Sequence, residues 1–239
     1  MGKEYQQDIE QFKNILKPLY SKLISDVKDF GKSKCFFCMQ WGKNYPFDKN
    51  TGILFVGRAV NGWVTDSEDI VKLFDSEERI FAREDQMQWV ENLAGNEYGY
   101  NTNKSAFWRV VKGVAVKYYD TNWSTHIAWS NLCKASPFDG GNPSDGMFYA
   151  QLETCHKILK AEIDFLHPKV VILLTGEDWA NSYLCFLNGG STKSKVELPW
   201  NDSTIKIYEI EKTKYILSLH PQGKPEDSHV ESICKLLAS

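Results

Sequence analysis

The sequence predicts an α/β fold with a mostly parallel sheet covered by helices on both faces. Three observations carry the prediction. Short apolar runs, GILFVG, IAWSNL, VVILLTG and YILSLH, have the length and composition of buried strands. Longer stretches between them repeat apolar residues at helical spacing, and strands that alternate with helices are joined by crossovers, which makes neighbouring strands parallel. A chain of 239 residues, 42% hydrophobic and 13% aromatic, has enough apolar surface for one sizeable core. We therefore expect a single domain over residues 1–239. Residues 1–51 form an N-terminal helical layer and a cysteine-containing loop, and 52–239 form the core.

In chain order, Ile9, Phe12, Ile15, Leu16, Leu19, Tyr20, Leu23, Ile24 and Val27 recur at helical spacing, which predicts a helix over 4–30, kinked or divided by Pro18. The segment GKSKCFFCMQWGKNYPFDKN has no period and reads as loop. GILFVG (52–57) is the first strand. Helical patterns follow over 67–74, 85–93 and 106–119, then the strand IAWSNL (127–132) and a helix over 146–166. VVILLTG (170–176) is a strand, 178–187 a helix, and NGGSTKS (188–194) a surface loop. TIKIYEI (204–210) and YILSLH are strands, and a helix over 228–237 closes the chain. No internal repeat or low-complexity tract is present.

A formal charge of −3 and an isoelectric point near 6.0 give no global attraction to nucleic acid, so any such binding must rest on a local basic patch. The start, MGKEYQQDIEQF, lacks the apolar stretch of a signal peptide, and no apolar run is long enough to span a membrane. We expect a cytoplasmic monomer with no membrane association and no obligate protein partner. Six cysteines in such a chain read as reduced thiols or metal ligands rather than a disulfide framework.

Each strand ends on unusual chemistry. GILFVG opens into RAVNGW, IAWSNL into CKASPFDGGNP, VVILLTG into EDW, and YILSLH into PQGK. In a parallel sheet these ends share one edge, where α/β proteins bind ligands, so Arg58, Asn61, Asn131, Thr175, Glu177 and His220 are expected to converge on one crevice. Taken singly, a histidine at a strand end serves structure as readily as chemistry, and an asparagine there serves as readily to bind backbone.

The ordered set of motifs resembles the uracil-DNA glycosylase superfamily. GILFVG with its Gly/Asn turn, FW at the head of a helix, NLCKASP, HPKVVILLTG and HPQGK follow the order of that family's glycine-rich first motif, FW helix, TNxxKxxP segment, PKVIxxLG strand and terminal HPS loop, over residues 52 to 224. The resemblance implies a three-layer sandwich around a central four-stranded, mostly parallel sheet. It also implies an enzyme that flips a deaminated base out of DNA and cuts its bond to the sugar.

That chemistry needs a group to stabilise negative charge on the departing base and a water presented to the sugar. By resemblance, His220 meets the leaving oxygen, and the Asn131 amide reads the edge of the base with a donor and an acceptor together. Gly57 and Arg58 of the first motif border the base, and Tyr100, a few residues before FW, is the stacking platform. Phe107 and Trp108 read as core. Lys134 and the turn Gln222, Gly223 and Lys224 are expected against the DNA backbone.

The departures are in the first motif, where GRAVNG places Arg58 and Ala59 at the positions of the family's water-holding residue. Asn61 or Asp66 then becomes the candidate, although TDSED reads as well as a helix cap. The chemistry requires no cofactor. Relatives with a C-x-x-C pair and two later cysteines hold a [4Fe–4S] cluster, so Cys35, Cys38, Cys133 and Cys155 are candidate ligands for such a cluster or for zinc, with Cys133 placed before Lys134 instead of after it. Acids such as Glu68, Asp69, Asp75 and Asp85 follow the first motif and read as a solvated face or a lid. A catalytically inactive relative that binds nucleic acid or a nucleotide through the same pocket is the alternative. Neither a P-loop nor a G-x-S-x-G elbow occurs.

Overall fold

A computed structural model describes residues 3–31, 33–47, 51–63, 68–75, 85–91, 100–191 and 193–238. The chain forms two compact units, each assembled from three stretches. The first takes in Met1–Met39, Arg58–Glu84 and Asn131–Leu166; the second takes in Gln40–Gly57, Asp85–Ser130 and His167–Ser239.

In the first unit, helix α1 (Lys3–Val27) buries Ile9, Phe12, Leu16, Tyr20, Leu23 and Val27, an i, i+3, i+4 stripe. The expected break at Pro18 does not divide it. Pro18 and Asn14, whose carbonyl loses its helical donor, are both exposed, so water can satisfy that group. Against this stripe lies the helix Asp145–Leu166, numbered α4 in chain order. Phe12 stacks on Phe165 at 4.1 Å, Thr154 Oγ1 donates to Asp26 at 2.6 Å, and Phe30 abuts Gly146. Ascending positions on one helix meet descending positions on the other, so the two are antiparallel. A two-stranded ribbon pairs β1 (Lys34–Phe36) with β5 (Ala135–Pro137), and the short helix α2 (Ile70–Phe74) is capped by the Asp69 carboxylate.

The second unit holds the sheet. Its strands are β2 (Gln40–Trp41), β3 (Ile53–Gly57), β4 (Ile127–Asn131, whose last residue begins the next stretch of the first unit), β6 (Val170–Leu174), β7 (Val196–Trp200), β8 (Ser203–Ile210) and β9 (Thr213–Ser218). They lie in the order β2-β4-β3-β6-β9-β8-β7. β3, β6 and β9 run parallel, in register from Ile53 through Val170 to Lys214, and every residue of β3 and β6 is buried, as expected of central strands.

The α/β class is as the sequence predicts, but among the described residues the sheet has seven strands rather than four, and it is mixed, with the parallel strands β3, β6 and β9 at its centre. β7, β8 and β9 form a meander through two-residue turns, which only antiparallel neighbours can use. Asn201 and Glu211 enter these turns with φ of 52° and 55°. β2 is antiparallel to β4.

Helices α3 (Ala106–Tyr119), α5 (Glu177–Leu187) and α6 (Glu226–Ala238) complete this unit. Arg109 meets Glu226, Gly113 meets Val230 and the Tyr118 hydroxyl meets the Cys234 carbonyl, so α3 and α6 are parallel. A Cβ on Gly113 would stand 2.6 Å from Val230 Cγ2, which makes the missing side chain a condition of this close approach. The periodic stretch 85–93 contributes a 3-10 turn at Gln88–Glu91 instead of an α-helix among its described residues. No helix among the described residues is long and apolar enough to cross a membrane.

Candidate functional site

Because β3, β6 and β9 are parallel, their carboxyl ends, Gly57, Leu174 and Ser218, lie on one edge of the sheet. The chain leaves β3 through Arg58 and leaves β9 toward His220.

Within the first unit, the turn after β3 and the segment after β4 are tied together by one backbone and one side-chain hydrogen bond. The Cys133 N–H donates to the Arg58 carbonyl at 2.8 Å, and the Gly141 N–H donates to Asn61 Oδ1 at 2.6 Å. Gly140 and Gly141 have φ of 97° and 89°, and a Cβ on Gly140 would stand 2.8 Å from Asn61 Oδ1, so this loop reaches Asn61 only with glycine there. The oxygen of Asn61 that was expected to hold a water is thus engaged by a loop amide. Asp66 lies outside the described residues.

Asn131, the last residue of β4, is 2% exposed, and no acceptor meets its Nδ2 among the described residues. A buried amide left unpaired costs about 1–3 kcal/mol. Such a group at a strand end therefore calls for a ligand or water to accept from it.

Lys134 corrects an expectation. The resemblance places it against the DNA backbone, yet it is fully buried, and its Nζ sits 2.7 Å from Glu162 Oε2, itself fully buried. Gln151 Oε1 accepts from the Lys134 and Ala135 N–H groups at 3.1 and 2.9 Å, and the Lys134 carbonyl accepts from Phe37 N–H at 2.8 Å. The Tyr20 hydroxyl donates to the Phe37 carbonyl at 2.5 Å. Lys134 is therefore the centre of a core network and cannot meet a phosphate at the surface.

The four candidate metal ligands all belong to this unit, and all four are buried. The Cys35 thiol donates to the Ser136 carbonyl at 3.5 Å across the β1–β5 ribbon, and the Cys155 sulfur takes the Lys134 N–H at 3.4 Å. Burial pushes Cys155 up to about 12 and raises Cys133 well above the ordinary thiol range, the Cys155 sulfur adding to the latter shift. Among the described residues, no three His, Cys, Asp or Glu side chains are grouped to hold a metal ion.

Within the second unit, His220, Gln222, Gly223 and Lys224 form a single turn. The Gln222 N–H donates to His220 Nδ1 at 3.3 Å, the Lys224 N–H donates to the Pro221 carbonyl at 3.0 Å, and Gly223 has φ of 72°. His220 is half-buried. Accepting at Nδ1 leaves the proton of a neutral ring on Nε2. Tyr100 is 37% exposed at the rim of an aromatic cluster, its ring 6.1 Å from Trp89, which meets Trp108 at 5.4 Å and Trp129 at 5.8 Å. Phe107 and Trp108 are buried, as the sequence indicates. Thr175 is buried with its hydroxyl on the Gly176 carbonyl, and Glu177 pairs with Lys206 at 2.7 Å on the surface.

Two residues of this region escaped the sequence reading. Ser218 ends β9, and its Oγ lies 2.7 Å from Nε2 of His229, a fully buried residue of α6. Burial lowers His229 to about 4, with His220 adding to the shift and Glu226 opposing it. The available signal was the position of His229 among Val230, Ile233 and Leu236, on the apolar face of a helix.

No protein-family model matches the chain, and no curated protein matches it.

Proposed function

We propose that this protein is a base-excision hydrolase of the uracil-DNA glycosylase type, a three-layer α/β sandwich that flips uracil or another deaminated base from DNA and cuts the bond to its sugar. The observation that carries the reading is the Asn131 amide, buried at a strand end with its nitrogen unpartnered among the described residues. A uracil carbonyl supplies the acceptor that this nitrogen lacks, and the amide oxygen can accept from the ring N–H. His220, with its proton on Nε2, donates to the oxygen that gains charge as the base leaves. The terminal turn carries Lys224 toward a phosphate. The order of motifs along residues 52 to 224 supports these roles, which rest on resemblance. No step requires a metal or redox cofactor.

A second reading, a catalytically inactive relative that binds the base without cutting, is favoured by the first motif. Arg58 and Ala59 stand where a water-holding side chain is needed, and Asn61 Oδ1 is engaged by Gly141. Oligonucleotides carrying uracil, hypoxanthine or xanthine separate the two readings. The enzyme leaves abasic sites in at least one of them. The binding module retains a modified oligonucleotide without releasing base, and Ala59→Asn then tests whether restoring an amide restores cleavage.

A further inference from the structure

The terminal loop is held at both of its ends by one residue. His229 takes a side-chain hydrogen bond with Ser218, the last residue of β9, at 2.7 Å. Its own N–H donates to the Pro225 carbonyl at 3.1 Å, where the loop enters α6. Residues 219 to 225, His220 among them, lie between these anchor points. Ser218 and His229 are 1% and 0% exposed, and the His229 ring is stacked on Trp200 at 4.0 Å and 21°. A hydroxyl–imidazole pair this deeply buried is closed to a substrate, so its use is mechanical.

We propose that His229, acting through Ser218, is a positioning residue for His220: the pair braces the loop so that the Gln222 N–H stays on His220 Nδ1 and the His220 proton stays on Nε2. The importance of that proton rests on the glycosylase reading; the brace itself does not. Loss of the brace frees the carboxyl end of β9 from α6, and the weak 3.3 Å bond from Gln222 is the first interaction in the loop to yield. His229 is matched to this task because its depressed proton affinity keeps it neutral, and Nε2 can then accept from the Ser218 hydroxyl.

The test uses the full chain labelled with ¹⁵N, reading the histidine ring nitrogens and the amide hydrogen exchange of residues 219 to 225. The variants are Ser218→Ala, His229→Phe and His229→Gln, the last able to keep a hydrogen bond to Ser218 without a titrating ring. In Ser218→Ala and His229→Phe, the loop amides should exchange about tenfold faster, the effect of one lost hydrogen bond to a buried partner. The His220 Nδ1 signal should move from that of an unprotonated acceptor to an average of the two tautomers. His229→Gln should restore both readouts toward wild type.

Unchanged His220 signals and exchange in Ser218→Ala overturn the proposal, as does a His229→Gln variant that behaves like His229→Phe. Should His229→Phe fail to fold, Ser218→Ala decides, since it removes a single oxygen. Wild-type protein that excises no base while Ser218→Ala still shifts His220 defeats the glycosylase reading alone. Excision with an indifferent Ser218→Ala defeats the brace alone.

Discussion

Replacing Lys134 with methionine leaves the Glu162 carboxylate in the core without its cation. The two side chains are each 0% exposed and 2.7 Å apart. At an effective dielectric of about 20, unit charges at that separation attract by about 6 kcal/mol, while desolvation costs several kcal/mol for each ion, so the intact pair is near break-even. Removing one partner discards the attraction and keeps the other's desolvation cost. Lys134→Met should therefore lose about 3–5 kcal/mol, whereas Lys134→Met with Glu162→Leu should recover most of that loss. For a chain of this length, the single change lowers the thermal midpoint by about 6–20 °C. Thermal and urea unfolding of the two single variants and the double variant measure the coupling as a double-mutant cycle. A Lys134→Met loss below about 1 kcal/mol, or additive single losses, would refute the buried pair. The folded double variant should also keep the wild-type salt dependence of any DNA binding, because a core lysine releases no counterion from a phosphate.

Gly113→Ala sets a helix-propensity gain of about 1 kcal/mol against a methyl 2.6 Å from a stiff valine, and overpacking of about 1–3 kcal/mol should win. Its thermal midpoint should fall and partly return with Val230→Ala; a rise would mean that α3 and α6 do not meet at this glycine. His229 gives a pH dependence. Its affinity for a proton falls from 6.5 in the open chain to about 4 when folded, so its contribution is full above about pH 6.5 and is lost as the pH drops toward 4. The groups facing it are Glu226, held below the usual carboxylate range by Arg109, and His220. The loss amounts to about 3 kcal/mol, and urea midpoints at pH 7 and pH 4.5 should converge in His229→Gln by that share; equal pH slopes in both proteins would contradict the burial of a neutral ring. Asn131→Asp replaces the unpartnered donor with an acceptor, so it should shift preference among uracil, hypoxanthine and xanthine in competitive binding. An unchanged preference order would remove Asn131 from base recognition.

Elements whose packing follows a period were legible from the sequence. The helix over 106–119 falls where the apolar pattern puts it, and the strand read over 127–132 starts at Ile127 and ends one residue early, at Asn131. The meander was not recognised, although Asn201-Asp202 between VELPW and STIKIYEI is a turn signal, because β7 exposes four of its five residues and shows no alternation. Glu211-Lys212 offers no glycine or asparagine to mark the second turn. Lys134 was misread because its partner lies 28 residues away on α4, and a buried lysine is distinguished from a surface one only by what the fold brings to it. Glu162 on the apolar side of α4, between Leu159 and Ile163, was the usable sign of that pairing. The same limit hid the Ser218–His229 pair, since an apolar-face histidine gains meaning only when β9 delivers a hydroxyl to it.

The central claim is that this fold releases a base from DNA with His220 donating to the leaving oxygen. Its most direct test is single-turnover excision from a uracil-containing oligonucleotide, with the freed base identified by mass spectrometry, in wild type and His220→Ala. Release of uracil by wild type, slowed by about 10²-fold or more in the variant with unchanged oligonucleotide affinity, is the expected result. Equal rates in the two proteins, or no base released by wild type from any deaminated substrate, would contradict it.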